Sequence, residues 1–217
     1  MGKVGGRLPQ PLQKGRFKVK IVGVTGSIGS GKSVLCKRLK DLGAYVLDAD
    51  AIVHGLIRER GVLYKALKRG FGSSILASGG GIDRTRLAEA GFTSKRSVDK
   101  LCRIVHPHVV RRIDEGAKVI SRKDPEAIIL IDAPLLIEAG LGGYVDYLVA
   151  VRANSRLRAK RASLRLKISK EEATRRMDFQ LPQAAKAAVA DFIIDNNGSI
   201  SELNRRAEVL WKKLKKN

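Results

Sequence analysis

The chain has 217 residues, 44% of them hydrophobic, which is enough for one α/β core with small insertions and too few for two large domains. No apolar run approaches the ~20 residues that cross a bilayer, and no secretory-type apolar stretch opens the sequence, so a soluble cytoplasmic protein without membrane partners is expected. Lys and Arg number 43 against 21 Asp and Glu, a formal charge of +22 that implies polyanionic company: nucleotides and phosphorylated cofactors, and equally nonspecific contact with RNA or DNA.

Residues 1–16 carry Lys3, Arg7, Lys14 and Arg16 with two prolines, four glycines and no acid, and read as a flexible basic leader. From Phe17 the pattern tightens into Val19, Ile21, Val22 and Val24, which suits a buried strand. Directly behind it, Gly26-Ser27-Ile28-Gly29-Ser30-Gly31-Lys32-Ser33 satisfies G-x-x-x-x-G-K-[ST], and a helical segment follows from Val34 to Leu42. A strand before the glycines and a helix after them is the setting of a phosphate-binding loop. The glycines let the backbone wrap round phosphate oxygens, with amide N–H groups aimed inward at a helix N-terminus. Residues 26–34 are therefore the candidate ATP contacts. Lys32, expected in an exposed loop, would reach the β and γ phosphates, and the Ser33 hydroxyl would ligate Mg²⁺. Cys36 and Cys102 form neither a C-x-x-C pair nor a disulfide framework and read as reduced packing residues.

The apolar run Ala44–Leu47 predicts a second strand, and Asp48-Ala49-Asp50 falls at its C-terminal end, where open parallel sheets put their ligands. The two carboxylates could hold Mg²⁺ or accept a proton from an attacking hydroxyl. Asp50 could equally cap a helix beginning at Ala51. Residues 51–122 look mostly helical and are far longer than a crossover needs, which predicts an inserted substrate-binding domain. Within them His106-Pro107 reads either as the start of a helix, with proline in its first turn, or as a substrate contact. Ala127–Ile131 is a third apolar strand closed by Asp132, in the manner of a Walker B carboxylate. Val145–Val151 and Phe192–Ile194 supply two more strands, and strands alternating with helices predict a parallel sheet covered on both faces.

From Arg152 to Lys170 there are eight basic residues and no acid, a self-repelling stretch that phosphate would neutralise and arginine would clamp. Ser169–Glu172 and Ser199–Glu202 each fit the S-x-x-E capping box and start helices towards Gln180 and the C-terminus. In the last helix Ile200, Leu203, Ala207, Leu210 and Leu214 form one apolar stripe, with Trp211 beside it as core.

Taken in order, these segments resemble the dephospho-CoA kinase family from about Val19 to Leu210. The resemblance rests on Val22–Ser33, Leu42-Gly43, Asp48-Ala49-Asp50, Ile82-Asp83-Arg84 with Leu87, and Ile104-Val105-His106-Pro107. Asp132-Ala133-Pro134-Leu135-Leu136-Ile137-Glu138, Gln180 and Ile194-Asp195-Asn196-Asn197-Gly198 complete it. Two departures stand out: Ser27 replaces a usual glycine, and Arg165-Leu166 stands where the family often has Arg-Asp.

The resemblance implies a P-loop α/β core over 17–50, 123–153 and 181–217, a helical CoA-binding domain over 51–122 and a mobile lid over 154–180. It implies ATP with Mg²⁺, dephospho-CoA as acceptor, and Asp50 as general base with Asp48 beside it, Asp48 and Ser33 being the metal candidates. Arg161, Arg165 and Arg176 become lid residues near phosphate or adenine, and Asn196 a loop residue near the ATP base. His106, Asp132 and Leu135 join the acceptor side. A monomer or small homo-oligomer is expected.

Two other readings compete. A nucleoside monophosphate kinase shares the loop, sheet and lid, but its phosphate acceptor needs no carboxylate base. A nucleotide-gated RNA-binding protein would explain the charge, yet only 5% of residues are aromatic, leaving few stacking platforms.

Overall fold

The computed structural model describes residues 18–138 and 140–216. The basic leader expected over 1–16 lies outside the described residues, as does Phe17. Five strands, β1 (Lys20–Thr25), β2 (Tyr45–Asp48), β3 (Ile128–Asp132), β4 (Tyr147–Arg152) and β5 (Phe192–Asp195), form one sheet in the order β2-β3-β1-β4-β5. Every neighbouring pair is parallel. The chain leaves β1 towards one edge and later crosses to the other, so the C-terminal end of β1 is the switch point where such sheets bind ligands.

Side-chain alternation fills both faces. In β3, Ile129 and Ile131 point into one core with Ile21, Val109, Ile113 and Leu136. Ile128 and Leu130 point into the other with Val22, Val24, Leu35, Leu39 and Leu210. The second core is closed by α1 (Lys32–Asp41) and α9 (Ile200–Lys216). In α9 Leu203, Ala207, Leu210 and Leu214 are buried as the stripe requires, Trp211 packs beside them, and Ile200 is exposed.

Helices α2 (Ala49–Arg58), α3 (Val62–Phe71), α4 (Arg84–Gly91) and α5 (Lys95–Lys123) occupy the long segment after β2. Ile57, Leu63, Leu67, Ile75 and Leu87 build a small core of their own there, with Leu101, Ile104 and Val105 of α5 against it. The second half of α5, through Val109, Val110, Ile113 and Ala117, instead packs on the sheet. Pro107 therefore lies inside a 29-residue helix and starts nothing, contrary to the helix-start expectation. A proline costs an interior turn its hydrogen bond, but apolar packing on both sides holds α5 continuous across it.

After β4 come α6 (Ser155–Leu166), α7 (Lys170–Asp178) and α8 (Gln183–Ala188). The expected capping box at Ser199 forms in both directions: its hydroxyl accepts from Glu202 N at 3.2 Å, and its own N–H donates to Glu202 Oε2 at 2.8 Å. At Ser169 only half forms. The hydroxyl accepts from Glu172 N at 3.0 Å, but the Glu172 carboxylate turns to Arg175 and Arg176. Among the described residues, no helix is long and apolar enough to cross a membrane.

Candidate active site

The loop Gly26–Ser33 joins β1 to α1, and three backbone approaches explain its glycines. Gly29 and Gly31 adopt left-handed φ of 76° and 94°. A Cβ on Gly29 would overlap the Arg158 carbonyl, and one on Gly31 the Asn196 side-chain amide. Gly26 lies as closely under the Val151 carbonyl. Gly31 is also the N-cap of α1 and offers no side-chain acceptor; Val34 N–H turns to the Gly31 carbonyl at 3.0 Å, and the Lys32 and Ser33 amides open the helix towards an anion. Ser27 and Ser30 are buried, whereas Ser33 and Val34 are exposed at the mouth of the loop.

The Lys32 ammonium pairs with Asp132, and the two side chains are only 11% and 7% exposed. Lys32 is thus sequestered against the carboxylate ending β3, which corrects the expectation of an exposed lysine. Burial lowers its pKa from the usual lysine range, opposed by Cys36, Asp50 and Asp48, while Arg165 adds to the lowering. Both thiols are held protonated, Cys36 pushed up to about 12 and Cys102 to about 11, chiefly by burial.

Asp48 is level with Asp132 in the β2–β3 register, so the two carboxylates stand on neighbouring strand ends. The strand stops there, and α2 begins at Ala49 rather than Ala51. Asp48, not Asp50, is the N-cap: its Oδ1 accepts from Ala51 N at 3.0 Å. Asp50 sits exposed in the first turn of α2.

The candidate lid residues divide. Arg161 donates to the Asn196 carbonyl at 3.0 Å, Arg165 is exposed, and Arg176 is engaged by Glu172 at 2.9 Å within its own helix. Asn196 is buried, with its Nδ2 donating to Ser30 O at 2.8 Å, so its side chain braces the loop. Gln180 braces it from the other side, its Oε1 accepting from Ile28 N at 2.9 Å. His106, in α5, is half-buried; burial lowers its pKa and the Glu138 charge opposes the shift. Leu135 is half-buried in the segment following Asp132.

Lys186 escaped the sequence reading altogether. It is 1% exposed and bonded at 2.7 Å to both Pro134 O and Glu138 Oε1. A lone lysine in Gln-Ala-Ala-Lys-Ala-Ala carries no local signal of burial; a carboxylate within the Asp132–Glu138 motif was the one hint that a cation would be needed.

A family model described as dephospho-CoA kinase matches residues 20–202. Over 196 residues the chain is 34% identical to the dephospho-CoA kinase of Aquifex aeolicus, covering 90% of this chain and 98% of that one. The Moorella thermoacetica dephospho-CoA kinase is also 34% identical, with 90% and 92% covered. Among solved structures, a Thermus thermophilus protein superposes with a TM-score of 0.73 at 32% identity, over 90% of this chain and 97% of that one. The dephospho-CoA kinase from Campylobacter jejuni gives 0.64 at 26% identity, over 91% and 98%. A shikimate kinase from Acinetobacter baumannii, 15% identical with a TM-score of 0.51 over 90% and 93%, shares the fold.

Proposed function

The chain belongs to the dephospho-CoA kinase family, and from that premise we propose that it transfers the γ-phosphoryl group of ATP to the ribose 3′-hydroxyl of dephospho-CoA. The observation that carries this reading is the pairing of the Lys32 ammonium with Asp132 at the end of β3, level with Asp48 on the neighbouring strand end, where Asp50 follows in the first turn of α2. A phosphate acceptor has no proton to give up, so a carboxylate beside the phosphate lysine favours a hydroxyl acceptor over a nucleoside monophosphate.

In the proposed reaction the 3′-oxygen forms a bond to the γ-phosphorus, the bond to the leaving ADP oxygen breaks, and the hydroxyl proton passes to Asp50. Asp50 is the better base of the pair because Asp48 is already committed to the cap of α2. The amides of the loop and Lys32 hold the phosphates, with Lys32 exchanging Asp132 for phosphate oxygen. Arg161, Arg165 and Arg176 close over the phosphates as residues 154–180 move as a lid, excluding water. Residues 51–122 bind the acceptor, with His106 and Leu135 on its side of the cleft.

The donor set at the mouth is all oxygen, the Ser33 hydroxyl and the Asp48 carboxylate, which suits a hard cation such as Mg²⁺. When bound there, Mg²⁺ would neutralise charge on the β and γ oxygens. The test is a coupled assay with ATP and either dephospho-CoA or AMP. Dephospho-CoA should be converted to CoA and ADP, and chelation of Mg²⁺ should stop it. Turnover of AMP without turnover of dephospho-CoA would refute the assignment.

A further inference from the structure

Among the described residues the most buried charged side chain is Lys186 on α8. Its ammonium donates to Pro134 O and to Glu138 Oε1, each at 2.7 Å. Glu138 Oε1 also accepts from Leu181 N at 3.0 Å, so the chain leaving the 154–180 region is stitched twice to the segment that follows Asp132. The Pro134 carbonyl also accepts from Thr25 Oγ1 at 3.3 Å, and Thr25 is the residue before the phosphate loop. Between these two anchors Leu136 is fully buried over Gly23 of β1, where a Cβ would press on its methyl groups. The segment from Ala133 to Glu138 is therefore fixed on the root of the phosphate loop at one end and on α8 at the other.

An ion pair is an expensive way to hold a segment in place. Taking an ammonium out of water costs several kcal/mol, and well-packed apolar residues of the same volume often stabilise as much or more. Burial lowers the Lys186 pKa, with the Glu138 bond and charge opposing. What an apolar contact lacks is direction: one ammonium bonded to a carbonyl and a carboxylate fixes both oxygens at set distances.

We propose that Lys186 is a positioning residue, which holds the Ala133–Glu138 segment in register with the phosphate loop and thereby sets where the acceptor meets the γ-phosphate. The role rests on the reaction proposed above. It does not touch the reacting atoms, and it acts through Pro134 and Glu138 on Leu135 between them. ATP is held by loop amides and Lys32 from β1 and α1, so displacement of the segment reaches the acceptor before the nucleotide.

The test uses Lys186→Met and the paired replacement Lys186→Met/Glu138→Leu, which removes both buried charges and preserves packing. In steady-state assays both variants should raise the KM for dephospho-CoA and lower kcat/KM for it by about 10²-fold, the cost of misplacing a reactant by roughly 1 Å. The KM for ATP should stay unchanged. Thermal melting accompanies each: Lys186→Met loses stability because Glu138 is left unpaired, and the paired variant recovers it. Should Lys186→Met fail to fold, the paired variant supplies the kinetic test alone. Recovery of wild-type acceptor kinetics together with stability would overturn the proposal, reducing Lys186 to a stabilising residue, and so would an equal rise in both KM values. A wild-type enzyme inactive on dephospho-CoA would refute the assigned reaction instead, a result visible before any variant is read.

Discussion

Lys32→Met tests whether the phosphate-loop lysine has a structural partner as well as a catalytic duty. In the structure its ammonium and the Asp132 carboxylate are 11% and 7% exposed and bonded to each other. Methionine keeps most of the stem and its packing, so the variant isolates the loss of charge. Removing one member of a buried ion pair strands the other, at about 3–5 kcal/mol. For a chain of this length each kcal/mol moves the melting temperature by about 2–4 °C, so a drop on the order of 6–20 °C is expected. Asp132→Asn alone should fall by a comparable amount. The double variant Lys32→Met/Asp132→Asn has no stranded charge and should melt close to wild type, giving a coupling energy near the sum of the two single costs.

Turnover should follow a different rule. Loss of Lys32 removes charge stabilisation of the transition state and should cost about 10²–10³ in kcat in the single and the double variant alike. The assays are melting of the four proteins without nucleotide and phosphoryl transfer from saturating ATP. Additive melting shifts would refute the buried pair, and recovered turnover in the double variant would refute the role of Lys32 in the transition state.

Other outcomes follow from single contacts. Asp50→Asn should keep its melting temperature and ATP affinity yet lose about 10²–10⁴ in turnover, the range for a general base; turnover at wild-type levels would remove Asp50 from the reaction. Asp48→Ala should lose about 1 kcal/mol with its cap while Asp48→Asn keeps that stability, and equal melting of the two would refute the cap. Gly29→Ala must adopt φ of 76° and push on the Arg158 carbonyl, so a loss of at least roughly 1–2 kcal/mol with weaker ATP binding is expected by melting and titration. His106 has a folded pKa below its ordinary 6.5, so the unfolded chain takes up a proton the native state resists. Stability should therefore fall as pH drops through 6.5, and His106→Gln should flatten that fall in melts between about pH 5 and 8; identical profiles would refute it.

The sequence made local features legible and left long-range ones hidden. Each strand begins or ends within a few residues of its apolar run, because period-two burial is written in consecutive residues. The phosphate loop and the Ser199 cap were readable for the same reason: every group involved lies within eight positions of the others. The choice between Asp48 and Asp50 as cap was not, since it depends on where pairing with β3 stops; that pairing carries strand geometry through Asp48 and releases the chain to helix one residue later. Pro107 misled because its local preference for a helix start is overridden by two separate cores that hold α5 straight through it.

What the sequence hid most completely is the bracing of the phosphate loop by residues 180–196. Gln180 reaches Ile28 and Asn196 reaches Ser30, so two contacts, each spanning more than 150 residues of sequence, converge on one loop. Arg161, on the first helix of the proposed lid, bonds the same Asn196 through its carbonyl. Asn154 and Gln180 stand at the two ends of the segment proposed as the lid, the former donating its N–H to Asn197 Oδ1 at 2.7 Å and the latter accepting from the loop. Between these ends α6 and α7 meet at Lys167, whose left-handed φ of 55° breaks the helical path. The proposed lid, tied at both ends to the frame that braces the phosphate loop, would move against a fixed reference, and such rigidity is what phosphoryl transfer asks of a protein whose main task is alignment.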